Sequence, residues 1–412
     1  MARAEKGFAG YKMIVCAILI CAGGVGFSYY SLNLYLPSWM AEFGISNGEG
    51  SIAFSIVGVT TMLGSFASSV VVGRLGLKRL YVAGAAALIA GYAIFLIAPN
   101  LIALYAGGVL LGLGISWAGM IPLGTIAPNW FIEKQGTMMG VVAASMGVCG
   151  VIANLLFANV ITAAGWRVAI VVTICIVAVC CIPAAIVCKP TPEEIGQKPL
   201  GADALPAEEG NAVDAQAEYR AARKTPSFWL LCALVLCISS LICGLVPQVA
   251  SVVTSNGFDL VFAGTISSIM QAANVVGAFA MGFVNDRFKL RGALIYSLII
   301  GIVSMTMIFF CASEIGCVAF AVTFGLAQAL LTTLYPLLIG PVFGQGASEQ
   351  IIGFFNGVSG LGETIMPTIV GFSVTLAGTY NVAAAINIAL IILGVTCGFI
   401  ALKKAPRGKA QG

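Results

Sequence analysis

One carboxylate lies deep inside an apolar run of this 412-residue sequence: Glu363, in a stretch long enough to cross a bilayer. A charged side chain at that depth costs about 2.5–3.5 kcal/mol on insertion scales, so it must face a cavity, pair or stay protonated. No Lys or Arg sits at a similar depth in any apolar run. A protonated, neutral Glu363 is therefore expected, and such a group can carry a proton across a membrane. The alternative is a protonated Glu that ties its helix to a neighbour. The chain has no His, which removes imidazole as proton relay or metal ligand. It also has no nucleophile–base set, metal-ligand cluster or phosphate-binding loop. No enzyme activity, resident cofactor or metal is expected.

Polar residues elsewhere in the apolar runs could hold a small polar substrate by hydrogen bonds. Asn356, Ser359 and Glu363 recur on one helical face. Gln271, Asn274 and Ala278 do the same, and Tyr29, Tyr30, Asn33 and Tyr35 crowd an early run. Trp117, Asn154, Gln248 and Gln328 complete the candidate binding set. For any one amide, a hydrogen bond between helices is an equally good explanation, worth about 0.6 kcal/mol. Tyr30, Gln271, Asn274 and Glu363 taken together favour a cavity.

The elements that must position these residues are membrane helices. Hydrophobic residues make up 60% of the chain and charged residues 9%, against roughly 25% charged in a soluble domain. A span needs about 20 apolar residues. Twelve such runs are predicted, at 13–38, 51–73, 79–98, 101–127, 137–162, 167–188, 226–252, 259–284, 291–312, 315–341, 350–376 and 380–402. Helix is the expected state, because backbone polar groups in lipid must be satisfied within the segment. With the N-terminus inside, 19 of the 20 Lys and Arg fall in the N-tail, the even-numbered loops or the C-tail, and only Arg167 falls outside. Basic residues are retained on the cytoplasmic side. This predicts a multi-pass protein of the plasma (inner) membrane with both termini cytoplasmic. The first apolar run is too long, and too polar in its second half, for a signal peptide. The net charge of +4 belongs to these loops and implies no nucleic-acid partner. The 13 Cys lie mostly within spans and suggest no disulfide framework.

One long polar break, 189–225, divides an N-terminal six-helix bundle (1–188) from a C-terminal one (226–412). Its part 212–224 reads equally as a short interfacial helix or as an unstructured linker. The two blocks repeat at an offset of 213. Pro128-Asn129-Trp130 matches Pro341-Val342-Phe343. Gly112 matches Gly325, Gly140 matches Gly353, Gly147 matches Gly360, and Ala164-Gly165 matches Ala377-Gly378. The expected fold is thus an all-α membrane protein, twelve transmembrane helices in two pseudo-symmetric six-helix bundles. Duplicated halves of this kind place a substrate between them near the bilayer midplane. Glycines in spans five (Gly140, Gly147, Gly150) and eleven (Gly353, Gly357, Gly360, Gly362) predict close helix approach. Pro122, Pro247, Pro336 and Pro367 predict kinks.

Two loops bring a family into view. Gly73-Arg74-Leu75-Gly76-Leu77-Lys78-Arg79 follows span two, and Gly282-Phe283-Val284-Asn285-Asp286-Arg287-Phe288-Lys289-Leu290-Arg291 follows span eight. Both resemble the Gly-x-x-x-Asp-Arg-x-Gly-x-Arg-Arg gating loop of the major facilitator superfamily. The first copy lacks the Asp; the second keeps Asp286 and Arg287 but has Lys289 where the family has Gly. The resemblance implies gating roles for Gly73, Arg74, Asp286 and Arg287. Setting topology is the alternative role, and it is the expected one for Lys78, Arg79, Lys289 and Arg291. Four further segments are similar to the branch of oxalate/formate antiporters and monocarboxylate transporters. They are Tyr30–Tyr35, Asn129-Trp130-Phe131-Ile132-Glu133-Lys134-Gln135-Gly136, Pro192-Glu193-Glu194-Ile195-Gly196 and Thr225-Pro226-Ser227-Phe228-Trp229.

What the resemblance implies is a secondary transporter for small organic acids, working by alternating access as a monomer in the lipid bilayer. Oxalate-type relatives carry an Arg in span eight and a Lys in span eleven. Here Ala278 and Ser359 stand at those places, so a dianion would lack a counter-charge. A monocarboxylate entering with a proton, by symport or antiport, suits this chain better. A proton-linked exporter of hydrophobic or multidrug compounds is the first alternative. A non-transporting membrane sensor is a second, and it would normally carry an appended signalling domain, whereas only about ten residues follow the last span.

Overall fold

The computed structural model describes residues 8–201, 212–343 and 348–404, and among these it is built of helices. Arg3, Lys6, Arg407 and Lys409 of the tails and residues 202–211 of the central break lie outside the described residues. Eleven helical stretches are long and apolar enough to cross a membrane, the longest being Leu260–Phe310 with 51 residues. At 1.5 Å per residue a helix of that length reaches about 77 Å, against roughly 30 Å of hydrocarbon. It is two spans, divided where Lys289 leaves helical geometry (φ 57°, ψ −170°), which gives twelve.

Four spans are internally broken. Span one runs as a helix over Gly10–Cys21, widens to a π-helix over Ala22–Phe27, and passes a 3-10 turn at Leu32–Leu34 before Tyr35–Phe43. Span four widens over Ser116–Met120, just ahead of Pro122. Span seven tightens over Val246–Gln248 around Pro247. Span ten is interrupted at Ala329, between Glu314–Gln328 and Leu330–Phe343. These are the first and fourth spans of each half. Those in spans one, four and seven have local causes. Proline cannot donate to the helical ladder, and the Ser28 hydroxyl takes the Gly23 carbonyl at 2.7 Å. Irregular backbone at membrane depth survives only where protein buries it or a cavity solvates it. Pro367, by contrast, sits inside the continuous helix Ser348–Ala377, and Leu330–Phe343 continues through position 336.

The chain packs as two compact units. One comprises Met1–Tyr35 and Ile56–Glu208; the other comprises Leu36–Ser55 and Glu209–Gly412. The division differs from the sequence boundary at one place: residues 36–55 belong by sequence to the first block and by packing to the second unit. Hydrogen bonds join this segment to the second unit. Asn47 Nδ2 donates to the Tyr380 hydroxyl (2.9 Å), Gly48 N–H to Thr375 Oγ1 (3.0 Å) and Gln248 Nε2 to Ser51 Oγ (3.1 Å). The Ser55 and Thr368 hydroxyls lie 2.7 Å apart.

Inside each unit the same contacts recur at the offset of 213. A Cβ on Gly112 would strike the Val57 carbonyl and Thr60; on Gly325 it would strike the Met270 carbonyl and Ala273. Gly64 faces Leu113 and Ser116, and Gly277 faces Leu326 and Ala329. Gly26 meets Cys149, and Ser239 meets Gly362. Gly76 (φ 78°) and Lys289 (φ 57°), and Gly165 (φ 88°) and Gly378 (φ 68°), share left-handed backbone. Spans five and eleven are less uniform than their glycines predict. Gly150 and Gly362 touch neighbouring helices, whereas Gly140 and Gly353 have no described atom within 4 Å of a built Cβ. Close packing is therefore not the role of those two.

The central break is anchored at both described ends. In the first unit Leu200 N–H donates to the Trp130 carbonyl (2.9 Å), and the Ile132 and Glu133 N–H groups donate to the Leu200 carbonyl (3.0 and 3.1 Å). Trp130 Nε1 donates to the Lys189 carbonyl (2.8 Å) and Asn129 Nδ2 to that of Pro190 (3.1 Å). In the second unit Ala212–Arg223 is a helix. Its end is held by Trp229 Nε1 on the Arg223 carbonyl (3.0 Å), with the Arg223 guanidinium 5.7 Å from the Phe354 ring. Arg167, the one basic residue off the charge pattern, has its own occupation. It donates to the carbonyls of Leu96 (3.3 Å) and Ala98 (3.4 Å), and its guanidinium lies 4.3 Å over Trp166. It thus caps the last carbonyls of the helix Leu77–Ile97, a favourable place for a cation.

Candidate functional site

In the first unit the break in span one gathers three of the candidate residues. The Tyr30 ring lies against Gly150 of span five, where a Cβ would come within 2.7 Å. Asn33 Nδ2 donates to the Tyr30 carbonyl (2.8 Å) and to Asn154 Oδ1 (3.4 Å), and Asn154 Nδ2 donates to the Gly150 carbonyl (2.9 Å). Asn33 and Asn154 are buried and Tyr30 is half-buried. Two others point elsewhere. Tyr35 is fully buried, 3.3 Å from the Thr173 hydroxyl of span six. Trp117 Nε1 donates to the Gly64 carbonyl at 2.9 Å. Gly73 and Arg74 are exposed at the end of span two.

In the second unit the matching region is built differently. Glu363 stands 213 positions from Gly150, and Cys243 stands 213 from Tyr30. The fully buried Cys243 thiol lies within electrostatic range of Glu363. Where the first unit has a glycine under a tyrosine ring, the second has a carboxylate and a small thiol at the matching positions. Glu363 is half-buried, as is Ser359, and Asn356 is exposed. Cys243 does not stand out from sequence, since a Cys in an apolar run reads as filler.

Two helices of this unit carry the remaining amides. Gln271 is fully buried, and among the described residues neither its Nε2 nor its Oε1 has a hydrogen-bond partner. Asn274 and Gln328 are half-buried, and the Gln328 Oε1 is buried without a partner among the described residues. Gly277 and Gly325 let spans eight and ten approach to backbone contact. Gln248 is fully buried; its Nε2 donates to Ser51 Oγ and to the Pro367 carbonyl (3.0 Å), and its Oε1 has no partner. Ser51 and its neighbours Asn47 and Ser55 recur one turn apart on span two, a periodicity that the sequence shows and that could have marked them. Asp286 and Arg287 are exposed at the end of span eight. Among the described residues no three His, Cys, Asp or Glu side chains are grouped as metal ligands.

A family model of the Major Facilitator Superfamily matches residues 18–312 and 239–412. A protein of Escherichia coli (strain K12) described as an uncharacterized MFS-type transporter, YhjX, is 22% identical over 328 residues, 77% of each chain. Among solved structures, a bacterial homolog of the human lysosomal transporter Spinster matches in two states. The inward-facing unoccupied form has a TM-score of 0.67 and 14% identity, covering 96% of both chains. The inward-facing occupied form has a TM-score of 0.67 and 12% identity, covering 97% of this chain and 98% of that one. At these identities the structural likeness speaks for the fold.

Proposed function

Because the chain belongs to the Major Facilitator Superfamily and is a multi-pass membrane transporter rather than an enzyme, we propose that its cargo is a small monocarboxylic acid carried with a proton by alternating access. The observation that carries this is Glu363. It is an acid at membrane depth, within electrostatic range of the buried Cys243, in a pair of helices without Lys or Arg at that level. A proton on Glu363 and a proton shared with the cargo remove the charge that would otherwise cross a low-dielectric region. Tyr30, Asn33 and Asn154 on one unit, and Gln248, Gln271, Asn274, Gln328, Asn356 and Ser359 on the other, are the proposed binding groups. Tyr35 and Trp117 contribute by holding spans one and four. Gly73, Arg74, Asp286 and Arg287 are the proposed gating groups, on the cytoplasmic side of the inner membrane with both termini. No resident cofactor is involved, and the working form is a monomer.

Uptake in proteoliposomes after a pH jump, with a panel of mono- and dicarboxylates, tests this. A proton gradient should drive monocarboxylate accumulation. Glu363→Gln should abolish gradient-driven accumulation while leaving exchange of labelled for unlabelled solute. Strong oxalate uptake, or a Glu363→Gln protein with unchanged pH response, counts against it. The absence of a deep cation also suits a proton-linked exporter of hydrophobic compounds. That reading predicts dye accumulation in cells lacking the protein and no lactate or pyruvate flux.

A further inference from the structure

The geometry points to a specific recognition group within the second unit: Gln271 and Gln328 bind an uncharged hydrogen-bonding pair, one donor and one acceptor. Chemically this is a primary carboxamide or an un-ionised carboxyl group. The inference rests on the organic-acid reading above and narrows it to the form of the acid that is bound.

A buried amide left without partners is costly, and proteins rarely keep one unless something satisfies it. Gln271 is fully buried with both amide atoms unpartnered among the described residues. Packing does not explain its presence, and the duplicated fold supplies the control. The first unit brings spans two and four together through Gly112 against Val57 and Thr60, and Gly64 against Leu113 and Ser116. The second repeats this approach through Gly325 against Met270 and Ala273, and Gly277 against Leu326 and Ala329. At the positions matching Gln271, Asn274 and Gln328 the first unit has Gly58, Thr61 and Ile115. Only Thr61 is polar there, and its hydroxyl is satisfied by the Gly112 carbonyl at 3.1 Å. The same helix contact therefore stands without any amide, so helix packing does not require the amides of the second unit.

What they require is a ligand with matching groups. Gln271 offers one donor and one acceptor from one planar end, and Gln328 adds an unpartnered acceptor, Oε1. An ionised carboxylate only accepts. It would satisfy Nε2 of Gln271 and leave both Oε1 atoms facing its own negative charge. A carboxamide or neutral carboxyl pairs with donor and acceptor together. Residues 260–285 and 315–343 contain no charged residue, so nothing on these two helices favours the anion.

The test is binding by titration calorimetry to the purified full-length protein at pH 7. The probes are C2 to C6 monocarboxylates and the primary amide of each. Wild type should bind the amide of any acid it binds at least as tightly as that acid. Gln271→Leu and Gln328→Leu should each weaken amide binding at least about tenfold. The ligand-free Gln271→Leu protein should melt at a higher temperature than wild type, because an unpaired buried amide has been removed. A structural tie would show the opposite shift. Acids that bind while every matching amide fails overturn this inference and leave the organic-acid reading standing. If neither acids nor amides bind, both fall. A lower melting temperature for Gln271→Leu with binding unchanged also overturns it.

Discussion

Lys289 is a lysine in backbone geometry that suits glycine. Its φ of 57° and ψ of −170° lie at the edge of a region other residues avoid, at about 1–3 kcal/mol of strain. The matching residue in the first unit is Gly76, at φ 78° and ψ 161°. The fold thus demands a reversal at both places and only one copy has the residue for it. Replacing Lys289 by Gly relieves the strain but adds freedom to the unfolded chain, worth about 0.4–1 kcal/mol. Relief of strain outweighs that added freedom, so Lys289→Gly should stabilise by about 1 kcal/mol. Gly76→Ala should destabilise by about 1–3 kcal/mol. Thermal unfolding in detergent decides it, and a lower midpoint for Lys289→Gly would show that no strain is stored there. At the same scale, Glu363 was legible as a lone deep acid from charge counting alone. That the buried Cys243 lies within its electrostatic range was not, because which residues of two helices come near each other is not written in the sequence of either.

The helix contacts carry the register further. Gly112 and Gly325 face backbone carbonyls, which cannot rotate aside. Alanine at either should overpack the contact and cost about 1–3 kcal/mol. Gly140 and Gly353, also 213 apart, have no described neighbour within 4 Å. Alanine there should be neutral or stabilise by up to about 1 kcal/mol through helix propensity. Four single substitutions compared by thermal unfolding in detergent check this. Equal effects at the buried and open pairs would mean that the glycines do not set helix spacing. Much of this was legible: the spans from hydropathy, the register from paired motifs, and the breaks in spans four and seven from Pro122 and Pro247. The interruption at Ala329 carries no such local signal. It is understood from Ser116, its counterpart, where span four widens. The twelfth span was clearer in the sequence than in helix continuity, because the charged turn at 286–291 interrupts hydropathy while the helix nearly runs through it.

At the scale of the whole molecule, residues 36–55 are the segment whose chain position and packing disagree. Hydropathy and the repeat assign them to the first block, since neither contains information about which side chains will meet. Asn47, Ser51 and Ser55 lie on one face of span two, and all three meet partners on spans seven, eleven or twelve or the turn between the last two. Each such hydrogen bond is worth only about 0.5–1.5 kcal/mol net. A polar row of this strength is firm enough to hold one state and weak enough to release within a transport cycle. The proposed alternating access requires that some contacts of this kind break, and this row is the candidate. The Ser55 and Thr368 hydroxyls, 2.7 Å apart, offer a direct test. Cysteines at both positions in a background with the native cysteines removed should form a disulfide under mild oxidation. Transport in proteoliposomes should stop when the bond forms and return on reduction, while either single cysteine transports normally in both conditions. Full transport by the oxidised, cross-linked protein would mean that span two keeps these contacts throughout the cycle, and that the segment is a fixed part of the second unit.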